Sequence, residues 1–199
     1  MSDIKTTNIP MLVLLLTLVP ELCAGQWSET AEVRNREGVV VSYRAMLDGN
    51  MLVIEATHAP DWHTYAMDNI QRAREESGRD RPETELPTRI ELAGGLRIVG
   101  NWFQSRPKNL SQMEIRWYTW GFEEVVQFLA QVERVDGADA LISINGQACN
   151  AAMCSYIGDL PISLSLPSGE DFSAGAARTS IDLSQFVEVA NQPAENKVP

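Results

Sequence analysis

The chain has 199 residues and a formal net charge of -11, from 27 acidic against 16 basic side chains. That balance repels phosphate backbones and no Lys/Arg cluster offsets it, which argues against nucleic-acid binding. The length suits one domain with tails.

Residues 1–25 read as a secretory signal peptide. Lys5 is the one basic residue before the apolar run 11–19, and small Cys23, Ala24 and Gly25 precede a cleavage point at Gly25/Gln26. The run is short for a bilayer span, and no later segment approaches one. The expected product is a monomer with no stable membrane insertion, periplasmic or secreted. Cys149 and Cys154 are the cysteines that remain after cleavage.

From residue 39 the chain reads as strands. Residues 39–47 are β-rich, Asp48-Gly49-Asn50 is a turn signal, and 51–57 follow as the second arm of a hairpin. Residues 62–67 make a short aromatic strand. The stretch 68–87 is charged and carries Gly78, Pro82 and Pro87; it reads as a long surface insert with one helical turn at 71–76. Residues 88–92 alternate at period two, and 96–99 resume after Gly94-Gly95.

Residues 105–113 form a polar loop, and 114–120 are aromatic-rich. Residues 122–132 fit a helix face through Phe122, Val125, Val126 and Leu129, but their flanking strands and punctuating glycines assign them to strand. Residues 140–145 lead into the cysteines, and 162–166 return with alternation. Some eight short strands separated by turns predict an antiparallel β-sandwich over 26–167. The C-terminal extension 168–199 is expected to be partly disordered, with a short helix at 179–189 capped by Thr179 or Ser180.

Cys149 and Cys154 stand five positions apart. A disulfide needs Cα atoms about 5.5 Å apart, whereas five extended steps span roughly 17 Å, so a bonded pair requires the chain to fold back through 150–153. So small a ring stabilises by about 2 kcal/mol, a weak staple that leaves both sulfurs in one accessible turn. A redox pair and a structural staple both remain open at this point. No Lys, Arg or His lies within the turn to favour a thiolate, and nearby Asp159 opposes one.

Three stretches carry a family likeness. Asp61-Trp62-His63-Thr64-Tyr65, Trp120-Gly121-Phe122-Glu123-Glu124-Val125, and Gly146-Gln147-Ala148-Cys149 through Cys154 resemble, in order and spacing, the N-terminal periplasmic domain of the disulfide reductase DsbD. The likeness covers roughly residues 35–167. It implies an immunoglobulin-like antiparallel β-sandwich whose cysteine pair exchanges electrons with a thioredoxin-like protein or a redox membrane protein, beneath a shielding cap loop. It also makes Cys154 the sulfur that forms the mixed disulfide. The chain departs from the family in having one fewer residue between the cysteines, and in showing neither a later membrane segment nor a thioredoxin-like domain.

Cys149 and Cys154 are therefore the candidate catalytic residues. His63 and Tyr65 share one strand face and are candidates to line the site, as is Trp120, which shares parity with Tyr118 and Phe122. Residues 105–113 are a candidate shielding loop. His58, His63, Met153 and the cysteines suggest soft-metal binding only weakly, because no Cys/His spacing matches a metal motif; no metal and no organic cofactor is expected. The competing function is a non-catalytic secreted binding module with a structural disulfide.

Overall fold

The Asp48-Gly49-Asn50 signal closes the hairpin that it predicts. In the computed structural model, which describes residues 26–135, 137–166 and 181–190, twelve strands and one α-helix occur among the described residues. In chain order they begin β1 (Ala31–Asn35), β2 (Gly38–Asp48), β3 (Met51–His58), β4 (His63–Tyr65), α1 (Asn69–Ser77), β5 (Arg89–Gly94) and β6 (Leu96–Ser105). There follow β7 (Lys108–Asn109), β8 (Trp120–Phe122), β9 (Val125–Arg134), β10 (Ala140–Cys149), β11 (Cys154–Leu164) and β12 (Phe186–Val189). Gly49 turns the β2–β3 hairpin with φ of 60°, a left-handed backbone that glycine adopts without a Cβ clash.

One sheet has the order β1-β2-β3-β9-β6-β12 and the other β11-β10-β4-β8-β7, with β5 pairing a different length of β10. Every pairing is antiparallel. The fold is an antiparallel β-sandwich, as the strands and turn spacing imply, but with twelve strands among the described residues where the sequence suggests some eight. Alternate residues of the facing strands fill the space between the sheets, among them Tyr43, Leu52, Ile54, Trp102, Phe122, Phe128, Ile142 and Ile144. Burying each large apolar side chain contributes about 1.5–3 kcal/mol. Phe122 of one sheet meets Phe128 of the other edge to face, with centroids 5.5 Å apart.

The blurred periodicity of 122–132 has a physical cause. Val126, Phe128, Ala130 and Val132 point into the main core, whereas Leu129 on the opposite face is buried in a second cluster with Met51 and Val53. Trp27, Phe103, Ile181 and Phe186 cover that cluster. A strand apolar on both faces loses its period-two signature.

Several expectations change. The insert 68–87 holds more than one helical turn: α1 runs for nine residues, ends at left-handed Gly78, and buries Asn69 and Ala73. The expected α-helix is not formed over 183–189: after one 3-10 turn at Leu183–Gln185, the strand formers Phe186, Val187 and Val189 extend the open edge of β6 as β12. Thr179 and Ser180, the expected caps, lie outside the described residues, as does the signal segment 1–25. The aromatic stretch 114–120 contributes only Trp120 to a strand; a 3-10 turn at Met113–Ile115 and left-handed Arg116 (φ 57°) interrupt it. The interruption ends before Trp117, which bridges Gln112 in the register that pairs β7 with β8, so Tyr118, Trp120 and Phe122 keep their shared parity.

One irregularity positions the cysteine hairpin. Ile144 pairs with Leu160 and Gly146 with Ile157, so β11 carries one more residue than β10 over this interval. Asp159 adopts φ of 46° in the bulge, and its backbone N–H donates to Asn145 Oδ1 at 2.9 Å.

Candidate functional site

The cysteines close the tip of the β10–β11 hairpin as cross-strand partners, and their sulfurs are bonded. The fold-back through 150–153 is built by Asn150. Its Oδ1 accepts the backbone N–H groups of Ala152 and Met153, each at 2.9 Å, while its own N–H donates to the Met153 carbonyl. The tip is also tethered to β1, where Asn35 Nδ2 approaches Met153 Sδ at 3.7 Å.

The register across three strands assembles the rest. Cys149 pairs with Cys154 on one side and with His63 of β4 on the other. Paired residues share a face, so His63, Cys149 and Cys154 form one row, and Tyr65, Gln147 and Tyr156 form the next. This face points away from the core, towards which Thr64, Ala148 and Phe122 are turned. Gly121, opposite Tyr65, allows β8 to approach: a Cβ there would stand 2.4 Å from the Thr64 carbonyl oxygen.

Within the site the two sulfurs differ. Cys149 is 3% exposed, and Cys154, on edge strand β11, is open to solvent. Gln147 Nε2 lies 3.2 Å from Cys149 Sγ and 3.7 Å from Cys154 Sγ, placing a neutral donor against both. Asp159, the feared anion, sits on the exposed bulge and is engaged with Asn145 and Ser143.

His63 and Tyr65 meet as expected from parity. His63 Nε2 and the Tyr65 hydroxyl are 3.0 Å apart and the rings cross edge to face. Burial holds the His63 pKa below its ordinary value, against the carboxylates of Glu123 and Glu85, which raise it. Burial, assisted by the Glu85 charge, pushes the Tyr65 phenol up, so it stays protonated. Trp120 is not brought to this row. It shares the parity of Phe122 and packs against the main core, on the opposite side of the sheet.

The loop 105–113 supplies β7, which pairs with β8 and so lies beyond β4 and β8 from the cysteine strand. The segment that approaches the His63–Tyr65 end belongs instead to the charged insert. Asn69 Nδ2 donates to Thr84 Oγ1 at 3.0 Å and to the Glu85 carbonyl at 3.1 Å. Trp117 Nε1 donates to Glu85 Oε1 at 2.7 Å, and Glu85 Oε2 is buried with no hydrogen-bond partner among the described residues.

Sequence reasoning passed over Gln147, Glu85 and Asn69. Gln147 was legible in principle, being two residues from Cys149 on the same strand face. Glu85 and Asn69 were not, because only the folded insert brings them near. His58 is committed elsewhere: its Nδ1–H donates to the Glu124 carbonyl and its Nε2 accepts from the Thr64 hydroxyl, both at 2.8 Å. Among the described residues no group of three or more His, Cys, Asp or Glu side chains is placed to hold a metal ion.

No protein-family model and no curated protein matches the chain. Among solved structures it is similar to the N-terminal periplasmic domain of ScsB from Proteus mirabilis, at 16% identity and a TM-score of 0.49. The alignment covers 75% of this chain and 57% of that one, so the chain spans little more than half of that structure's length. No helix among the described residues is long and apolar enough to cross a membrane.

Proposed function

We propose that the chain is an exported, periplasmic thiol–disulfide exchange module. It passes reducing equivalents between the Cys149–Cys154 pair and a thioredoxin-like protein or redox membrane protein, using no organic cofactor. Residues 1–25 serve as the export signal and 26–167 as the working domain, to whose sheet the extension 168–199 adds strand β12. The observation that carries this reading is the asymmetry of the sulfurs, one sealed and one on an open edge strand. Exchange requires an incoming thiolate to reach one sulfur in line while the other leaves. Cys154 is the reachable sulfur, and Cys149 is the leaving group, with the Gln147 amide beside it to receive the developing charge.

His63 and Tyr65 line the leaving-group side. A purely structural bridge in a binding module gains nothing from exposing one sulfur. Redox titration of the pair tests the reading: an exchangeable bond is expected above roughly -300 mV, and a potential well below that value assigns the pair to structure.

A further inference from the structure

We propose that His63 is the proton acceptor for Cys149 when that thiol closes the disulfide onto Cys154. The inference rests on the exchange reading above and names the residue that makes its closing step run.

In the mixed disulfide, Cys154 is bonded to a partner sulfur and Cys149 is a thiol. The Cys149 proton passes to His63 as its sulfur attacks Cys154 Sγ. The Cys149–Cys154 bond forms, the bond from Cys154 to the partner breaks, and the electron pair leaves on the partner as a thiolate. The two cysteines are oxidised and the partner is reduced, and the imidazolium then returns its proton to water. In the opposite direction the same imidazolium protonates the departing Cys149.

Geometry singles out His63. It is the β4 residue paired with Cys149, and residues so paired stand about 4.5–5.5 Å apart at Cα on one face. Tyr65 fixes the ring through Nε2. With the proton on Nε2 and donated to the Tyr65 oxygen, Nδ1 is a free acceptor, and no hydrogen bond engages it among the described residues.

The other groups facing the site are poorly suited. Tyr65 is a protonated phenol, Gln147 is an amide, and Glu123 is paired with Lys108 Nζ at 2.8 Å. Glu85 accepts from the Trp117 indole. His58, on β3, has both nitrogens bonded.

The surroundings also match a base that is neutral at rest and charged in passing. Burial keeps the imidazole neutral, and the carboxylates of Glu123 and Glu85 favour the imidazolium once it forms. Among the described residues, Oε2 of Glu85 is a buried acceptor without a donor. An orphan of this kind is costly until a positive group faces it.

The test needs no natural partner. The reduced protein is treated with Ellman's reagent, which forms a mixed disulfide at Cys154, and release of the second thionitrobenzoate is followed by stopped-flow absorbance across pH. The wild-type rate should rise through a pKa below the ordinary imidazole value of about 6.5 and then level off. In His63→Gln, whose amide can still bond Tyr65, closure near neutrality should fall roughly 100-fold and rise in proportion to hydroxide until the thiol itself titrates. His63→Ala should recover rate on adding imidazole. Equal rates and pH profiles in wild type and His63→Gln would overturn the role of His63 and leave the exchange reading standing. A wild-type rate proportional to hydroxide across the acid range would overturn it without any variant. If wild type releases no second thionitrobenzoate, behaving like Cys149→Ser, the exchange reading itself fails.

Discussion

The Asn69 side chain accepts the backbone N–H of Trp120 at 2.8 Å, joining the first residue of α1 to the first residue of β8. The same oxygen accepts from Thr119 Oγ1, and the amide nitrogen donates to Thr84 and Glu85. One fully buried amide thus spends its whole hydrogen-bonding capacity on two chain segments, 84–85 and 119–120.

Asn69→Ala should therefore destabilise the domain by about 3 kcal/mol, because it leaves buried donors and acceptors unpaired. Chemical denaturation of wild type and variant measures this. A loss below about 1 kcal/mol would show that water replaces the amide without cost.

The asymmetry of the sulfurs sets the trapping pattern. With a thioredoxin-like partner, Cys149→Ser should accumulate a mixed disulfide through Cys154, because no thiol remains to release it. Cys154→Ser should trap little, since Cys149 is sealed. Non-reducing electrophoresis reads both, and equal trapping by the two variants would defeat the assignment of roles.

Replacing both cysteines with Ser should leave the sandwich folded. The ring stabilises by about 2 kcal/mol against a typical ~5–15 kcal/mol for a domain, and the hairpin keeps its backbone pairing on either side of the tip. Circular dichroism during heating should show a cooperative transition at a lower midpoint; a non-cooperative melt would mark the bond as structural.

Burial lowers the pKa of His58, outweighing the Glu124 carbonyl that raises it. Its unfolded form therefore binds a proton more readily than the folded one. Its contribution to stability is complete above the unfolded value of about 6.5 and is lost as pH falls through the depressed folded value. Between pH 7 and pH 5, stability should drop more steeply in wild type than in His58→Gln, as urea titrations at the two pH values would show. A steeper drop in the variant would reverse the sign of the argument.

The hairpin at 39–57, the strands and the bonded pair were legible because each is encoded locally, by a Gly turn, by alternation, or by proximity of two cysteines. His63 and Tyr65 were legible through strand parity. Trp120 was misplaced because parity groups it with Phe122 but does not say which face of the sheet is the core and which carries the cysteines. Strand β12 was missed because its pairing depends on β6, far away in sequence, and an amphipathic segment near a terminus reads equally well as helix. Asn69 and Glu85 act only through contacts between the insert and β8, and a polar residue in a charged stretch carries no mark of burial.

The extra residue in β11 reverses which way the strand faces partway along its length. On the far side of the bulge the even-numbered Ile162 and Leu164 enter the core, and on the near side the odd-numbered Ile157 does. Strand β10 keeps one phase throughout, with Ile142, Ile144 and Ala148 all inward. Cys154 and Tyr156 are consequently rotated to the solvent side, level with Cys149 and Gln147. A single inserted residue thus acts as a half-twist in a ribbon. One end of β11 is glued to its neighbours, while the other presents sulfur and an aromatic ring outward.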